Sequence, residues 1–271
     1  MFACPDCRTA LVDLRCTVCN ITFGDNRGVP VLISRQAPAE TVSTVASAYE
    51  EIYTDRTEVW VDQGRTPEFL RYFAGLVEAT QPRGVLEIGC GEGFLLSTVK
   101  AEQKSAIDVS ANALHLARNK TTAQFAVAFA EHLPFANESF DVVYSVGVME
   151  HFVDDHAATS DIRRVLRPGG TYLCLIHTHM GFSGSLRQKV REYISPSFRP
   201  LGLVKWLMKK VIRPIKQPIQ HPYTVASARA CLMGAGFKVT REITLQSEPT
   251  APLIGHHVVI FVATQNDAGT A

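Results

Sequence analysis

The amino-acid sequence predicts an α/β fold: a doubly wound, mostly parallel sheet of seven strands with a small cysteine-rich module in front of it. Three observations carry that prediction. Short apolar runs alternate with helical stretches from Val85 to Ile176, the pattern of strand–helix–strand units whose sheet is covered on both faces. The first of those runs ends in three alternating glycines, Gly89, Gly91 and Gly93, where a strand must bend sharply into a helix. Four of the seven cysteines fall within the first nineteen residues, as two C-x2-C pairs. A chain of 271 residues is long enough for one core of ordinary size and a small appendage.

The cysteine pairs are Cys4-Pro5-Asp6-Cys7 and Cys16-Thr17-Val18-Cys19, eight residues apart. Each pair makes a tight turn, and two such turns facing each other give a tetrahedral zinc site of Cys4, Cys7, Cys16 and Cys19. All four positions are filled, so the metal is expected to be structural rather than catalytic. A segment of about 35 residues cannot bury enough surface alone, and the metal supplies folding energy. Two disulfides would use the same cysteines, but an intracellular setting disfavours them. Short strands are expected over Ala10–Val12 and Asn20–Phe23. Residues 1–35 thus form the module. Residues 36–48, rich in Ala, Pro, Ser and Thr, read as a linker running into a helix. Cys90, Cys174 and Cys231 sit singly among apolar neighbours and read as thiols of the interior or, for Cys90, as a small turn residue.

The second domain, 49–271, supplies the sheet. Its strands are expected at "GVLEIG", "KSAIDVS", "AQFAVA", "SFDVVYSV" and "TYLCLI", the last entered through the turn Arg167-Pro168-Gly169-Gly170. Helices are expected over Phe94–Gln103, from the Ser110 cap to Lys120, and over Asp154–Val165. Two final strands, "GFKVTREITLQ" and "HHVVIFVAT", read as an antiparallel hairpin at the sheet edge, followed by a frayed tail from Asn266.

Such a sheet binds its ligand beyond the strand C-termini. The glycine spacing G-x-G-x-G differs from the G-x-G-x-x-G that seats a pyrophosphate, so no phosphate nest is implied. Glu87, just before the turn, repels a diphosphate and suits an ammonium group. About 20 residues further on, Asp108 ends the second strand, where a carboxylate accepts both hydroxyls of an unphosphorylated ribose. A nucleoside with an amino-acid tail and no phosphate satisfies all three facts, and S-adenosylmethionine is that molecule.

Four stretches, "VLEIGCGEGFLL", "IDVSANALHLAR", "AEHLPFANESFDVVYSVGVMEHF" and "IRRVLRPGGTYLCL", resemble the successive motifs of class I S-adenosylmethionine-dependent methyltransferases of the ubiquinone-biosynthesis-like, type 11 subgroup. The resemblance implies a Rossmann-like methyltransferase fold. It also implies that Gly89, Cys90 and Gly91 line the methionine part of the cofactor, that Asp108 holds the ribose and that Val109 flanks the adenine. Ala130, Glu131 and His132 then sit by the adenine edge, and Ser145 and Val146 border the methyl donor. In one departure, Phe129 stands where the family often has Asp accepting from the adenine amine. The first 35 residues resemble the zinc-ribbon module of small methyltransferase activator subunits, which also occurs fused ahead of bacterial methyltransferase domains.

Methyl transfer needs an aligned nucleophile and, for a hydroxyl, a general base. His151 follows the fourth strand, and His177 and His179 follow the fifth, all on the ligand side of the sheet; each is a candidate base, and shaping the pocket is the competing role. No Asn-Pro-Pro-Tyr type motif follows the fourth strand, which points away from methylation of an amide or a base amine. The expected reaction is O- or C-methylation of a small-molecule or lipid-linked acceptor such as a glycan or polyketide precursor.

The net charge of +1 conceals an asymmetry. A segment at about 182–220 carries nine basic residues against one acid, Glu192, and leaves the rest of the chain acidic. Within it, Leu201–Ile212 has a helical apolar pattern flanked by Lys205, Lys209 and Lys210 with Trp206 at its border. A lid over the site and a peripheral membrane contact through 201–213 both fit this pattern. RNA binding is disfavoured by the scarcity of aromatics for base stacking. An RNA methyltransferase and a non-catalytic cofactor-binding scaffold are the rival readings. Met1 leads straight into the cysteine module, and no uncharged apolar run reaches the ~18 residues of a membrane span, so a cytoplasmic protein is expected.

Overall fold

A computed structural model of the chain describes residues 1–54, 66–178, 218–252 and 257–265. The helix expected over 201–212, most of the basic segment, His179 and the tail from Asn266 lie outside the described residues.

The N-terminal module holds four two-residue strands, β1 (Arg15–Cys16), β2 (Ile21–Thr22), β3 (Asp25–Asn26) and β4 (Val29–Pro30), paired as two small antiparallel ladders. Helix α1 (Ala39–Thr54) follows, so the stretch read as a linker over 36–48 is helical from Ala39 onward. Its apolar face explains this: Ile52 and Tyr53 are buried against Ala113, with Tyr49 and Leu116 beside them. Helix α2 (Pro67–Glu78) starts as its sequence dictates, with Pro67 in the first turn and the Thr66 hydroxyl accepting from the N–H of Phe69.

The sheet is built from β5 (Gly84–Ile88), then helix α3 (Phe94–Thr98), β6 (Gln103–Asp108), α4 (Ala111–Arg118), β7 (Gln124–Val127), β8 (Phe140–Val146), α5 (Asp155–Val165), β9 (Leu166–His177), α6 (Val225–Gly234), β10 (Phe237–Ile243) and β11 (Val258–Gln265). Its spatial order is β10-β11-β9-β8-β5-β6-β7. The five strands from β7 to β9 run parallel; β11 is antiparallel to both β9 and β10. The final pair is therefore the expected antiparallel hairpin, with β11 inserted inside β10 rather than lying at the rim. Ser110 and Asp154 cap α4 and α5 by accepting from the N–H groups of Ala113 and Ala157.

Helix α3 is shorter than the expected Phe94–Gln103. Val99 turns extended and is fully buried, Lys100 donates its N–H to the Glu78 carboxylate, and Gln103 donates to the Arg83 carbonyl to open β6. Tertiary partners, not local composition, end the helix.

Period-2 alternation sorts the strand residues into two layers. Leu86, Ile88, Val143 and Cys174 join α5 and α6 on one face. Val85, Val142, Tyr144 and Leu175 join α2, α3 and α4 on the other. Each fully buried side chain of this size contributes roughly 1.5–3 kcal/mol. Cys4, Leu11, Cys16, Phe23 and Leu32 of the module belong to the first of these clusters, so the module shares its core with the sheet. It also covers the rim: the N–H of Leu32 donates to the carbonyl of Val127, and Val31 bridges Val127 in parallel.

Candidate cofactor site

From β5 the chain winds outward to β6 and β7, then returns to β8 on the other side of β5. A crevice therefore opens beyond the C-terminal ends of β5 and β8, where open α/β sheets take their ligands. It holds an open cavity, about 670 Å³ of empty space when the part continuous with solvent is counted.

The glycines of the first turn have separate tasks. Gly89 has φ +64°, and a Cβ there would stand 2.6 Å from Cγ2 of Val148 in the loop after β8. Gly93 has φ +74°, and its Cβ would stand 2.8 Å from that of Ala117 in α4. The first glycine lets two loops meet; the third lets α3 begin against α4. Between them, the N–H of Gly91 donates to Oδ2 of Asp108 at 2.8 Å, while the N–H of Ser110 donates to Oδ1 at 3.0 Å. Each carboxylate oxygen thus accepts from one backbone donor, which fixes the plane of the group at the end of β6.

The walls come from five places in the chain. Gly89, Asp108 and Val109 stand at the ends of β5 and β6, and Phe129, Ala130 and Glu131 follow β7. Gly147, Val148 and His151 follow β8. Tyr49 and Tyr53 of α1 close the remaining side. Among the described residues that line the cavity there is no lysine or arginine. The site thus offers carboxylates, apolar surface, phenols and the imidazole of His151. Burial, then the negative charges of Asp108 and Glu150, push the Tyr49 phenol up, so it stays protonated. Such walls fit a nucleoside that carries positive charge and no phosphate.

Of the residues expected at the site, Gly89, Asp108, Val109, Ala130, Glu131 and His151 come together on these walls. Cys90 and Gly91 lie in the turn behind Gly89 and are not wall residues. Glu87 is the register partner of Tyr144 in β8 and nearly inaccessible; burial first, and the Glu87 charge second, push the Tyr144 phenol up. The Ser145 hydroxyl shares a 2.9 Å hydrogen bond with that of Tyr172, and Val146 joins the cluster on the opposite face. His132 ends the short turn after β7, outside the walls. Glu131 uses Oε1 to accept from the N–H groups of Val153 and Asp154 at 2.7 and 3.1 Å, tying this wall to the start of α5. Burial raises its carboxyl despite those donors.

Two carboxylates with roles here were not foreseen. Glu50 of α1 accepts from the Ser110 hydroxyl (2.8 Å) and from the N–H groups of Ala111 (2.8 Å) and Asn112 (3.0 Å), fastening the closing helix to the positive end of α4. Glu150 accepts from Nδ1 of His177 at 2.7 Å. Beside it, Nδ1 of His151 donates to the carbonyl of Ile219 at 2.6 Å, and the N–H of His221 donates to the carbonyl of Glu150 at 2.7 Å.

In the module, the sulfurs of Cys7 and Cys16 are 3.4 Å apart and those of Cys4 and Cys19 4.0 Å, with all four inside 4.8 Å. None of the seven cysteines is in a disulfide. Metal–sulfur bonds of about 2.3 Å place tetrahedral sulfurs close to these separations, so the donor set fits a four-thiolate ion.

Residues 86–174 match the family model described as a methyltransferase domain. Among curated relatives, the chain is 37% identical over 97 residues to the methyltransferase GfsG of Streptomyces halstedii, covering 32% of this chain and 34% of that one. It is 30% identical over 149 residues to the malonyl-[acyl-carrier protein] O-methyltransferase of Hahella chejuensis, covering 52% and 50%. The chain spans half or less of the length of these two relatives. Among solved structures, the Burkholderia thailandensis 1,6-didemethyltoxoflavin-N1-methyltransferase, with 1,6-didemethyltoxoflavin and S-adenosylhomocysteine bound, superposes with a TM-score of 0.58 at 17% identity over 91% of this chain and 95% of that one. The fold is that of the Rossmann-like methyltransferases.

Proposed function

We propose that the chain is an S-adenosylmethionine-dependent methyltransferase acting on an oxygen or carbon of a small-molecule or lipid-linked acceptor. The observation that carries this reading is the cavity at the switch point. Asp108 stands on its wall, inside the region that matches a methyltransferase domain, and no lysine or arginine is found among the described residues that line it. An O-methyltransferase among the relatives supports oxygen as the acceptor atom.

In this reading Asp108 takes the ribose hydroxyls, and the turn Gly89-Cys90-Gly91 cups the methionine end with the Glu87 charge behind it. Val109, Phe129 and Ala130 hold the adenine, with Glu131 at its edge. Ser145 and Val146 support the loop after β8 that faces the methyl group. When bound, the sulfonium supplies an already activated methyl group. The protein's part is to align the acceptor, exclude water through α1, and accept a proton, with His151, His177 and His179 as the candidate imidazoles for that task. Cys4, Cys7, Cys16 and Cys19 hold a structural zinc ion within a module of residues 1–35, ahead of a methyltransferase domain over 49–271.

The test is incubation of the protein with tritium-labelled S-adenosylmethionine and fractionated extract of the source cells. Label entering the small-molecule or lipid fraction is the expected result. Label in RNA overturns the acceptor class, and label in no fraction overturns the activity.

A further inference from the structure

His177 closes β9 beside the loop that leaves β8, and Gly147 lies between them. Gly147 lines the cavity with φ +65°, and a Cβ there would sit 2.9 Å from Cε1 of His177 and 3.8 Å from Oε1 of Glu150. Its bare Cα is what lets the imidazole lie against the cavity wall. Oε1 of Glu150 accepts from Nδ1 of that ring at 2.7 Å and from the His177 backbone N–H at 3.3 Å. The carboxylate is 3% exposed and the imidazole 57%, a buried acid holding an accessible ring. Oε2 of Glu150 has no hydrogen-bond partner among the described residues. Burial pushes the Glu150 carboxyl up, yet the hydrogen bond and charge of His177 outweigh it and hold the group below its ordinary value. An ionised carboxylate only accepts, so the hydrogen of a neutral His177 belongs on Nδ1 and the lone pair on Nε2.

We propose that His177 is the general base that removes the acceptor's hydroxyl proton, and that Glu150 is the positioning residue that sets its tautomer and balances the charge the ring gains. This rests on the methyl-transfer reading and deepens it. The acceptor's O–H proton passes to Nε2 of His177 as the oxygen lone pair bonds the methyl carbon. The electron pair of the broken carbon–sulfur bond stays on sulfur, which leaves as a neutral thioether. The imidazolium, paired with Glu150, then returns its proton to solvent. The arrangement is that of a base oriented by a buried acid, with the methyl carbon's acceptor in place of a catalytic hydroxyl. His151 is itself a wall residue of the cavity, whereas His177 lies behind Gly147 of that wall, but the Nδ1 of His151 faces a backbone carbonyl, a neutral dipole that stabilises an imidazolium less than a carboxylate does.

The test combines a tautomer readout with turnover. Nitrogen-15 spectra of the full chain with S-adenosylhomocysteine should show neutral His177 protonated at Nδ1. Glu150→Gln should move the population toward the Nε2-protonated form, because an amide can donate to Nδ1. His177→Gln should lower label transfer from S-adenosylmethionine into the accepting extract fraction by about 100-fold or more, while calorimetry shows donor affinity held within about threefold. An Nε2-protonated wild-type ring, an unmoved tautomer in Glu150→Gln, or retained transfer in His177→Gln overturns the pair. If Glu150→Gln does not fold, the exposed His177→Gln site decides alone. Failure of the wild-type chain to bind S-adenosylmethionine sinks the methyl-transfer reading itself; binding with any of the contrary results sinks only the pair.

Discussion

At Gly89 a single absent methyl group shapes the cavity. A Cβ there would stand 2.6 and 2.8 Å from the two γ-carbons of Val148, which is itself a wall residue, on a backbone in the left-handed region. Gly89→Ala is expected to cost roughly 1–3 kcal/mol from overpacking and a further ~1 kcal/mol from the left-handed backbone. Chemical denaturation measures this, and an unchanged midpoint would contradict the placement. Gly89 and Asp108 were legible in the sequence because their signal is local: a glycine-broken strand, then an acid ending the next strand. Glu50 and Glu150 were not, because their partners lie 60 and 27 residues away and no local pattern announces them. The ring of Phe129 stands on the cavity wall.

Among the elements, α1 shows how a carboxylate fastens one helix to another. Glu50 makes three short hydrogen bonds at the start of α4, where the helix dipole favours negative charge, and so holds Tyr49 and Tyr53 over the cavity. Glu50→Ala is expected to release α1 and weaken S-adenosylhomocysteine binding by about tenfold, the equivalent of one charged hydrogen bond. Calorimetry reporting unchanged affinity would show that α1 closes without this fastening. Asp141 does comparable work at the strand entrances. It accepts from the N–H groups of Arg83 and Gly84 at the start of β5 and from Arg167 at the start of β9. Burial pushes its carboxyl up, but the Gly84 N–H, the Arg167 guanidinium and the Arg83 N–H together hold it below its ordinary 3.8. A depressed carboxyl lends stability above its unfolded value and loses it as pH falls through the folded one. Asp141→Asn should therefore be less stable than wild type near pH 6, and the gap in melting temperature should close as pH falls below about 4. A gap independent of pH would contradict the assignment. The strands were legible from their buried apolar runs. The end of α3 was not, because long-range partners decide it.

Over the whole molecule, the module brackets one wall of the cavity. Leu32 holds Val127 on one side of Ala128–Glu131. On the other side, the N–H of Ala3 donates to the carbonyl of Pro134, Phe2 lies 5.7 Å from Phe135, and Arg8 pairs with Asp161, which accepts from the N–H of Leu133. The cysteine spacing announced the module but not where it docks, since no residue pattern encodes a partner surface 100 residues away. Purified protein is expected to hold about one zinc ion per chain. Chelation or Cys16→Ser should loosen the wall and weaken S-adenosylhomocysteine binding by about 5-fold or more. Equal affinity in the metal-free protein would show that the module and the cavity are uncoupled.

The central claim is that a cavity with no lysine or arginine among its described wall residues, and with Asp108 on its wall, holds a sulfonium nucleoside and not a phosphorylated one. Calorimetric titration of S-adenosylhomocysteine into the wild-type chain and into Asp108→Ala tests it most directly. Saturable one-to-one binding to the wild type, at least about tenfold weaker in the variant, is the predicted result. No binding to the wild type, or equal binding to both, would contradict it.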